Sequence, residues 1–278
     1  MANPKLNKDS KTNQVTIMGN KIPAKAHTGG TSDKNQSDFQ GDSSLFSTEP
    51  GGRLNILMKQ LNMAKRWAGR AKCLPCQKIW MILSWNIRGL NNPLKQSEVK
   101  YLIVRNKVVI LGILETRVKE QNMNIGRKNL KLPGWELIQN YSSDDSGRIW
   151  ILFDPNKVNI SVVKSGMEFI HCREEWGNKV FLWTYTYGSY EMAVRKALWQ
   201  EIGWTSSDVE LPWLIQGDFN AVLSNADRAG GNPVDLLAAN DFQECLLKSN
   251  LLEIQTVGPR FTWTNNQEED RRILRKID

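Results

Sequence analysis

Four polar clusters directly follow apolar runs. They are Trp85-Asn86-Ile87-Arg88-Gly89-Leu90-Asn91, Glu115-Thr116-Arg117, Thr186-Tyr187-Gly188 and Gly217-Asp218-Phe219-Asn220. Side chains at strand ends rest on a rigid sheet yet meet solvent, which is where ligand and catalytic groups concentrate. Glu115 comes straight after the apolar run Val108–Leu114, an odd place for an ordinary solvated charge. Asp218 and Asn220 are two apart, so an extended chain turns both to one side. Carboxylates and amides without His or Cys suit a hard cation, magnesium or manganese. Such an ion polarises a phosphoryl oxygen. A second carboxylate can orient or deprotonate water, and an amide and a phenol can donate to the phosphoryl transition state. The chemistry is metal-assisted hydrolysis of a phosphoester. A plainer reading stands beside it: Asn86 and Asn220 as Asx-turn residues, and Glu115 as a strand-end acid paired with Arg117 or Lys119.

These clusters need strands to carry them. Ile79–Trp85 has strand character and Leu94–Lys107 suits a helix. Val108–Leu114 is a continuous run typical of a strand buried on both faces. Strand-like segments follow at 135–139, 148–153, 158–163, 168–172 and 179–187. Glu191–Ile202 reads as a helix and Pro212–Gln216 as a strand. Leu236–Ser249 reads as a helix capped by Asp235, and 252–255 and 260–264 as short closing strands. Hairpin-like neighbours mix with strand–helix–strand units, so we expect an α/β fold of packed mixed sheets with helices outside.

Composition sets the limits. Residues 1–52 are polar, poor in large apolar groups and read as a disordered leader. Residues 51–80 hold seven Lys/Arg and no acids, whereas 81–278 hold 24 of each. The formal charge of +8 therefore belongs mainly to the leader, and the body is neutral. Within 53–78, Leu54, Leu57, Leu61, Ala64 and Ala68 share one face of a basic amphipathic helix. The lone Cys73-Leu-Pro-Cys76 lacks a second ligand pair, so inert thiols are expected rather than zinc. No run is long enough to span a bilayer, and Met1–Ser10 has no apolar stretch for a signal peptide. We therefore expect neither membrane nor secretion, but a nuclear or cytoplasmic protein. His27 and His171 are the only histidines, and His171, in an alternating strand, reads as structural.

The runs WNIRGLN, ETR, the YG before a helix with Arg195 and Leu198-Trp199, GDFNAVL, FTWTN and the terminal KID together resemble the endonuclease domain of LINE-type non-LTR retrotransposons. That domain is DNase I-like, of the endonuclease/exonuclease/phosphatase superfamily. The resemblance spans Met81–Asp278, within an expected domain of 79–278. It implies a four-layer sandwich of two packed mixed β-sheets flanked by helices. It also implies a Mg²⁺ (or Mn²⁺) ion, DNA as partner, no organic cofactor and a monomer. By matching motif, Glu115 resembles the main metal ligand and Asn86 the amide that supports it. Asp218 resembles the residue that orients or activates water, Asn220 the one that stabilises the phosphoryl transition state, and Tyr187 the tyrosine on the scissile phosphate. Trp263 resembles an aromatic near the DNA-facing rim. Asp278 resembles the Asp that braces the family's catalytic histidine. Arg88 and Arg117, with Arg148 and Arg228, are the candidate phosphate contacts of a neutral body.

Two departures stand out. The family commonly has Asn three residues after the tyrosine, where this chain has Tyr190. It also closes with a Ser-Asp-His element that this sequence lacks, which implies a C-terminally truncated domain without its last strands. Loss of one transition-state donor implies a rate lower by ~10²–10³. The alternatives are a catalytically inactive remnant with weak nucleic-acid binding and a phosphatase of the same superfamily.

Overall fold

Val108–Leu114 is a strand buried at every position, because both of its faces are covered. In the computed structural model, which describes residues 16–20, 81–254 and 259–278, it lies inside a sandwich. The elements run β1 (Thr16–Asn20), β2 (Met81–Asn86), α1 (Pro93–Asn106), β3 (Val108–Leu114), α2 (Met123–Asn129), β4 (Glu136–Gln139), β5 (Ile149–Phe153), β6 (Asn159–Ser165), β7 (Phe169–Trp176), β8 (Lys179–Tyr187), α3 (Met192–Ser207), β9 (Trp213–Asp218), β10 (Arg228–Ala229), α4 (Leu236–Lys248), β11 (Leu251–Glu253), β12 (Trp263–Thr264) and β13 (Leu274–Arg275). The basic segment 53–78, the Cys73/Cys76 pair and His27 lie outside the described residues, as does the leader apart from β1.

Two mixed sheets form, with strand orders β2-β3-β5-β4 and β11-β1-β9-β8-β7-β6, plus a small sheet β10-β13-β12. In each large sheet a helix crossover makes one parallel pair: β2 with β3 through α1, and β8 with β9 through α3. The sheets face each other through Ile82, Ile110, Leu114, Ile149 and Ile151 on one side and Ile170, Cys172, Trp183 and Tyr185 on the other. Outside the first sheet, Leu83, Leu111, Ile113 and Trp150 pack with Val99 and Ile103 of α1. Outside the second, Trp213 and Ile215 pack with Leu198, Trp199, Phe242 and Leu246 of α3 and α4. The result is four layers, as the resemblance implies. The helix starts follow local chemistry. Asn92 Oδ1 accepts Leu94 N–H at 2.9 Å with Pro93 in the first turn of α1, and Asp235 Oδ1 accepts Leu237 N–H at 2.9 Å. Among the described residues, no helix is long and apolar enough to cross a membrane.

Two readings need correction. Thr16–Asn20, inside the leader read as disordered, is a strand between β9 and β11, antiparallel to both. Composition averages over 52 residues hide the strand-prone Thr16-Ile17-Met18. Two sheet edges with unpaired backbone groups favour any extended segment that reaches them. Helix α2 has no counterpart in the sequence reading, since seven residues are too few for a clear helical period.

Glu174 is an acid in the inter-sheet core. It is fully buried and accepts from Tyr185 Oη at 2.7 Å and from Trp176 Nε1 at 3.4 Å. Burial raises its pKa from 4.5 to about 7, against those two hydrogen bonds. In the unfolded chain the proton leaves near 4.5. Stability from this group is therefore full below about pH 4.5 and is lost as pH rises to about 7, by about 3 kcal/mol. Urea unfolding at about pH 5 and about pH 8 should show the wild type weaker at the higher pH, with the difference reduced in Glu174→Gln. Equal pH dependence in both proteins would contradict this assignment.

Candidate active site

The two parallel strand pairs, one from each sheet, end at a common rim. Asn86 lies beside Leu114 across β2 and β3, and Tyr187 beside Asp218 across β8 and β9. Asn86 and Glu115 therefore stand on one sheet and Tyr187 and Asp218 on the other. A hydrogen bond joins the two sets: Asn86 Nδ2 donates to Asp218 Oδ2 at 2.7 Å.

The backbone leaves its strands through unusual conformations. Arg88, Glu115, Arg117 and Asn220 have φ of 53°, 54°, 53° and 49°. Left-handed residues other than glycine are uncommon and cluster where surrounding structure enforces them. Here Gly89 N–H donates to Glu115 O at 2.7 Å, and Leu90 N–H to Thr116 O at 2.6 Å. Lys95 Nζ donates to the carbonyls of Ile87 at 2.6 Å and Arg88 at 2.9 Å. Gly217 has φ +145°, and a Cβ there would collide with the Thr186 carbonyl. Its glycine keeps β9 against β8 just before Asp218.

Asp218 is buried, and its second oxygen, Oδ1, accepts Asn220 N–H at 2.9 Å. Burial raises its pKa from 3.8 to about 6, against the Asn86 and Asn220 hydrogen bonds and the Arg88 charge. Asn220 also donates from Nδ2 to Gly188 O at 2.7 Å. It thereby braces the loop after Tyr187 and keeps a second amide hydrogen for another acceptor. Tyr187 is buried, and burial followed by the Glu115 charge pushes its pKa well above 10. It remains a neutral donor.

Glu115 is buried and ion-paired with the exposed Arg117 through Oε1; Arg88 Nε lies 3.9 Å from Oε2. The pairing with Arg117 anticipated in the plainer reading is thus present. It does not satisfy the whole group. Glu115 Oε2 and Asn86 Oδ1 are buried with no hydrogen-bond partner, and buried polar atoms without one are rare. Two oxygen acceptors without donors, beside a second carboxylate, fit a hard cation. No group of three His, Cys, Asp or Glu side chains is placed to hold a metal among the described residues. The fit therefore rests on two acids and an amide.

Trp263 belongs to the small sheet, with the Arg275 guanidinium 5.2 Å from its ring centre. Ile277 O accepts Phe219 N–H at 2.8 Å, which sets Asp278 beside β9, where it lines a recess with Phe219, Phe242 and Lys276. His171 faces the outer side of the second sheet, with Nδ1 2.7 Å from Thr184 Oγ1 and its ring edge-on to Trp213. Burial lowers its pKa to about 4.

The sequence matches the Endonuclease/Exonuclease/phosphatase family over residues 83–275. The chain belongs to the endonuclease/exonuclease/phosphatase family. Members of this family are nucleases or phosphatases and generally use divalent metals. Among solved structures, the chain is similar to the AP endonuclease LMAP from Leishmania major, with a TM-score of 0.51 at 11% identity over 60% of this chain and 66% of that one. It is also similar to the endonuclease domain of TRAS1, a telomere-specific non-LTR retrotransposon, with a TM-score of 0.51 at 12% identity over 70% of this chain and 80% of that one. At such identities the likeness is one of fold. No curated protein matches the sequence.

Glu168 and the contacts made by Arg195 were not singled out from the sequence. Arg195 belongs to a quoted motif, but nothing in spacing shows what a buried guanidinium touches. Glu168 begins a strand segment, and only its burial at 4% exposure marks it.

Proposed function

We propose that this chain is a divalent-metal-dependent endonuclease that nicks DNA and descends from a LINE-type retrotransposon. The observation that carries the metal-dependent hydrolysis is the junction of the two sheet rims. Asn86 and Asp218 are hydrogen-bonded there, and Glu115 Oε2 and Asn86 Oδ1 are left as buried acceptors without donors. Glu115 and Asn86 would hold Mg²⁺ or Mn²⁺, which supplies Lewis-acid polarisation of a phosphoryl oxygen. Asp218, turned by Asn86 Nδ2 and Asn220 N–H, orients the attacking water and accepts its proton. Tyr187 and the second amide hydrogen of Asn220 donate to the phosphoryl oxygens as charge builds on them. Arg88 and Arg117 meet the flanking phosphates. Trp263 and the cations near it extend the DNA-facing rim.

The motif wording, GDFNAVL and FTWTN in order with WNIRGLN, supports the retrotransposon lineage. It also supports DNA over small phosphoesters. Supercoiled plasmid should relax to open circles in Mg²⁺ and stay supercoiled in EDTA. Equal conversion in EDTA, or none with either Mg²⁺ or Mn²⁺, would overturn the proposal.

A further inference from the structure

Strand β1 is attached to its sheet differently from its neighbours. β6, β7 and β8 follow one another along the chain and pair in that order, and α3 carries β8 to β9. β11 follows α4 directly. β1 has no such local connection, since residues 21–80 separate it from β2. What holds it is a pair of backbone ladders. Thr16, Ile17, Met18 and Gly19 stand opposite Gly217, Gln216, Ile215 and Leu214 of β9. Met18, Gly19 and Asn20 stand opposite Glu253, Leu252 and Leu251 of β11. The strand has five residues and ends in Gly-Asn, both poor strand formers. So short a segment, closed by so long a connection, belongs at the low end of local opening free energies.

The walls of its seat are held by contacts that do not involve β1. Ile215 of β9 and Leu251 of β11 share a core cluster with Phe242, Cys245 and Leu246 of α4. Glu253 of β11 is also ion-paired with Lys276. β9 and β11 are thereby kept two strand spacings apart, about 9–10 Å, which leaves room for one extended chain. The seat is stopped at one end. Phe219 N–H, two residues past the Gly217 that faces Thr16, donates to Ile277 O at 2.8 Å. A stop at a fixed place sets the register of the strand that enters.

This end of the seat adjoins the active site. Gly217 immediately precedes Asp218, and Gly188 N–H donates to Asp218 O at 2.8 Å on the β8 side. β1 closes the ladder on the other side of β9. A β9 without it is an open edge just before its catalytic carboxylate, and a misplacement of ~1 Å there can cost about 10²-fold in rate.

Resting on the reading of Asp218 as the group that orients water, we propose that the space between β9 and β11 is an acceptor slot for an exchangeable strand, and that seating of Thr16–Asn20 in it positions Asp218. The partner is an extended peptide with the residues of β1, supplied by the leader of this chain and recognised through main-chain hydrogen bonds at both edges.

Met18→Pro in the full chain removes a backbone donor from the centre of β1. Hydrogen exchange followed by mass spectrometry should show segments 213–218 and 251–253 exchanging about tenfold faster than in the wild type, with 169–187 unchanged. A synthetic peptide of residues 14–22 should restore protection at about 1–5 mM, the order of the effective concentration of a tethered strand. The same peptide with Met18→Pro should not. Plasmid nicking by the variant should fall about 10- to 100-fold in kcat and recover with the peptide. Protection equal to that of the wild type overturns the proposal. So does faster exchange that the peptide does not reverse, or that spreads to β7 and β8, since β1 is then a fixed part of the sheet. Wild-type nicking by a variant whose slot is open overturns the link to Asp218. If neither protein nicks, protection restored by the peptide supports the slot and refutes the hydrolase reading.

Discussion

Glu115→Gln is expected to lower Mg²⁺-dependent nicking by about 10³-fold, the consequence of losing ~4 kcal/mol of transition-state stabilisation. Glutamine keeps the shape of the side chain but not its charge. Glu115 is ion-paired with Arg117 and lies near Arg88, and in the proposed mechanism its negative charge would let a cation approach two guanidinium groups. Without that charge the rim of β2 and β3 is positive and repels the ion. The loss should be in kcat as well as in the Mg²⁺ concentration needed for half-maximal rate. Steady-state nicking across a Mg²⁺ titration checks this. A variant within about tenfold of wild type at saturating Mg²⁺ would show that Glu115 is a strand-end ion pair and nothing more.

Asp218→Asn should cost about 10²–10⁴ in kcat, the range for removing a positioned base. Its two oxygens are already oriented by Asn86 Nδ2 and Asn220 N–H. An amide in that place cannot take a proton from water, and it can accept from only one of the two donors. Burial makes the ionised carboxylate unfavourable in the fold, which is why its pKa rises to about 6. The asparagine variant should therefore unfold at an unchanged or higher temperature while losing activity, the pattern of a group kept for chemistry at the expense of stability. Thermal melts beside single-turnover nicking test both halves. Unchanged turnover would remove Asp218 from the mechanism. A large drop in melting temperature would mark it as structural.

Much of the fold could be read from the sequence where one signal dominates. Val108–Leu114 and Lys179–Tyr187 have the bounds expected from their apolar character, and Asp235 caps α4 as expected. Asn86, Glu115, Tyr187, Asp218 and Asn220 were all candidates, because each follows an apolar strand and each matches a family motif. What could not be read is how they meet. Asn86 and Asp218 are 132 residues apart, and their contact depends on two sheets packing with both parallel pairs ending at one rim. Neither periodicity nor spacing encodes a cross-sheet register. The left-handed φ values at Arg88, Glu115 and Arg117 carry no side-chain signature either, since none of these is glycine or asparagine. Glu168, Glu174 and Arg195 look like surface charges in sequence, and only the packing around them reverses that. Strand β1 was missed for the opposite reason. Its residues are ordinary strand formers set in a polar leader, and the sheet edges that recruit it are more than 190 residues away in the chain.

The most direct measurement is Mn²⁺ binding to the metal-free chain, followed by loss of the hydrated ion's electron paramagnetic resonance signal. The account predicts about one ion bound per chain in the wild type, at a site weakened at least ~10-fold in Glu115→Gln. Binding of the same number and strength in that variant would contradict a cation seated at the rim of the two sheets.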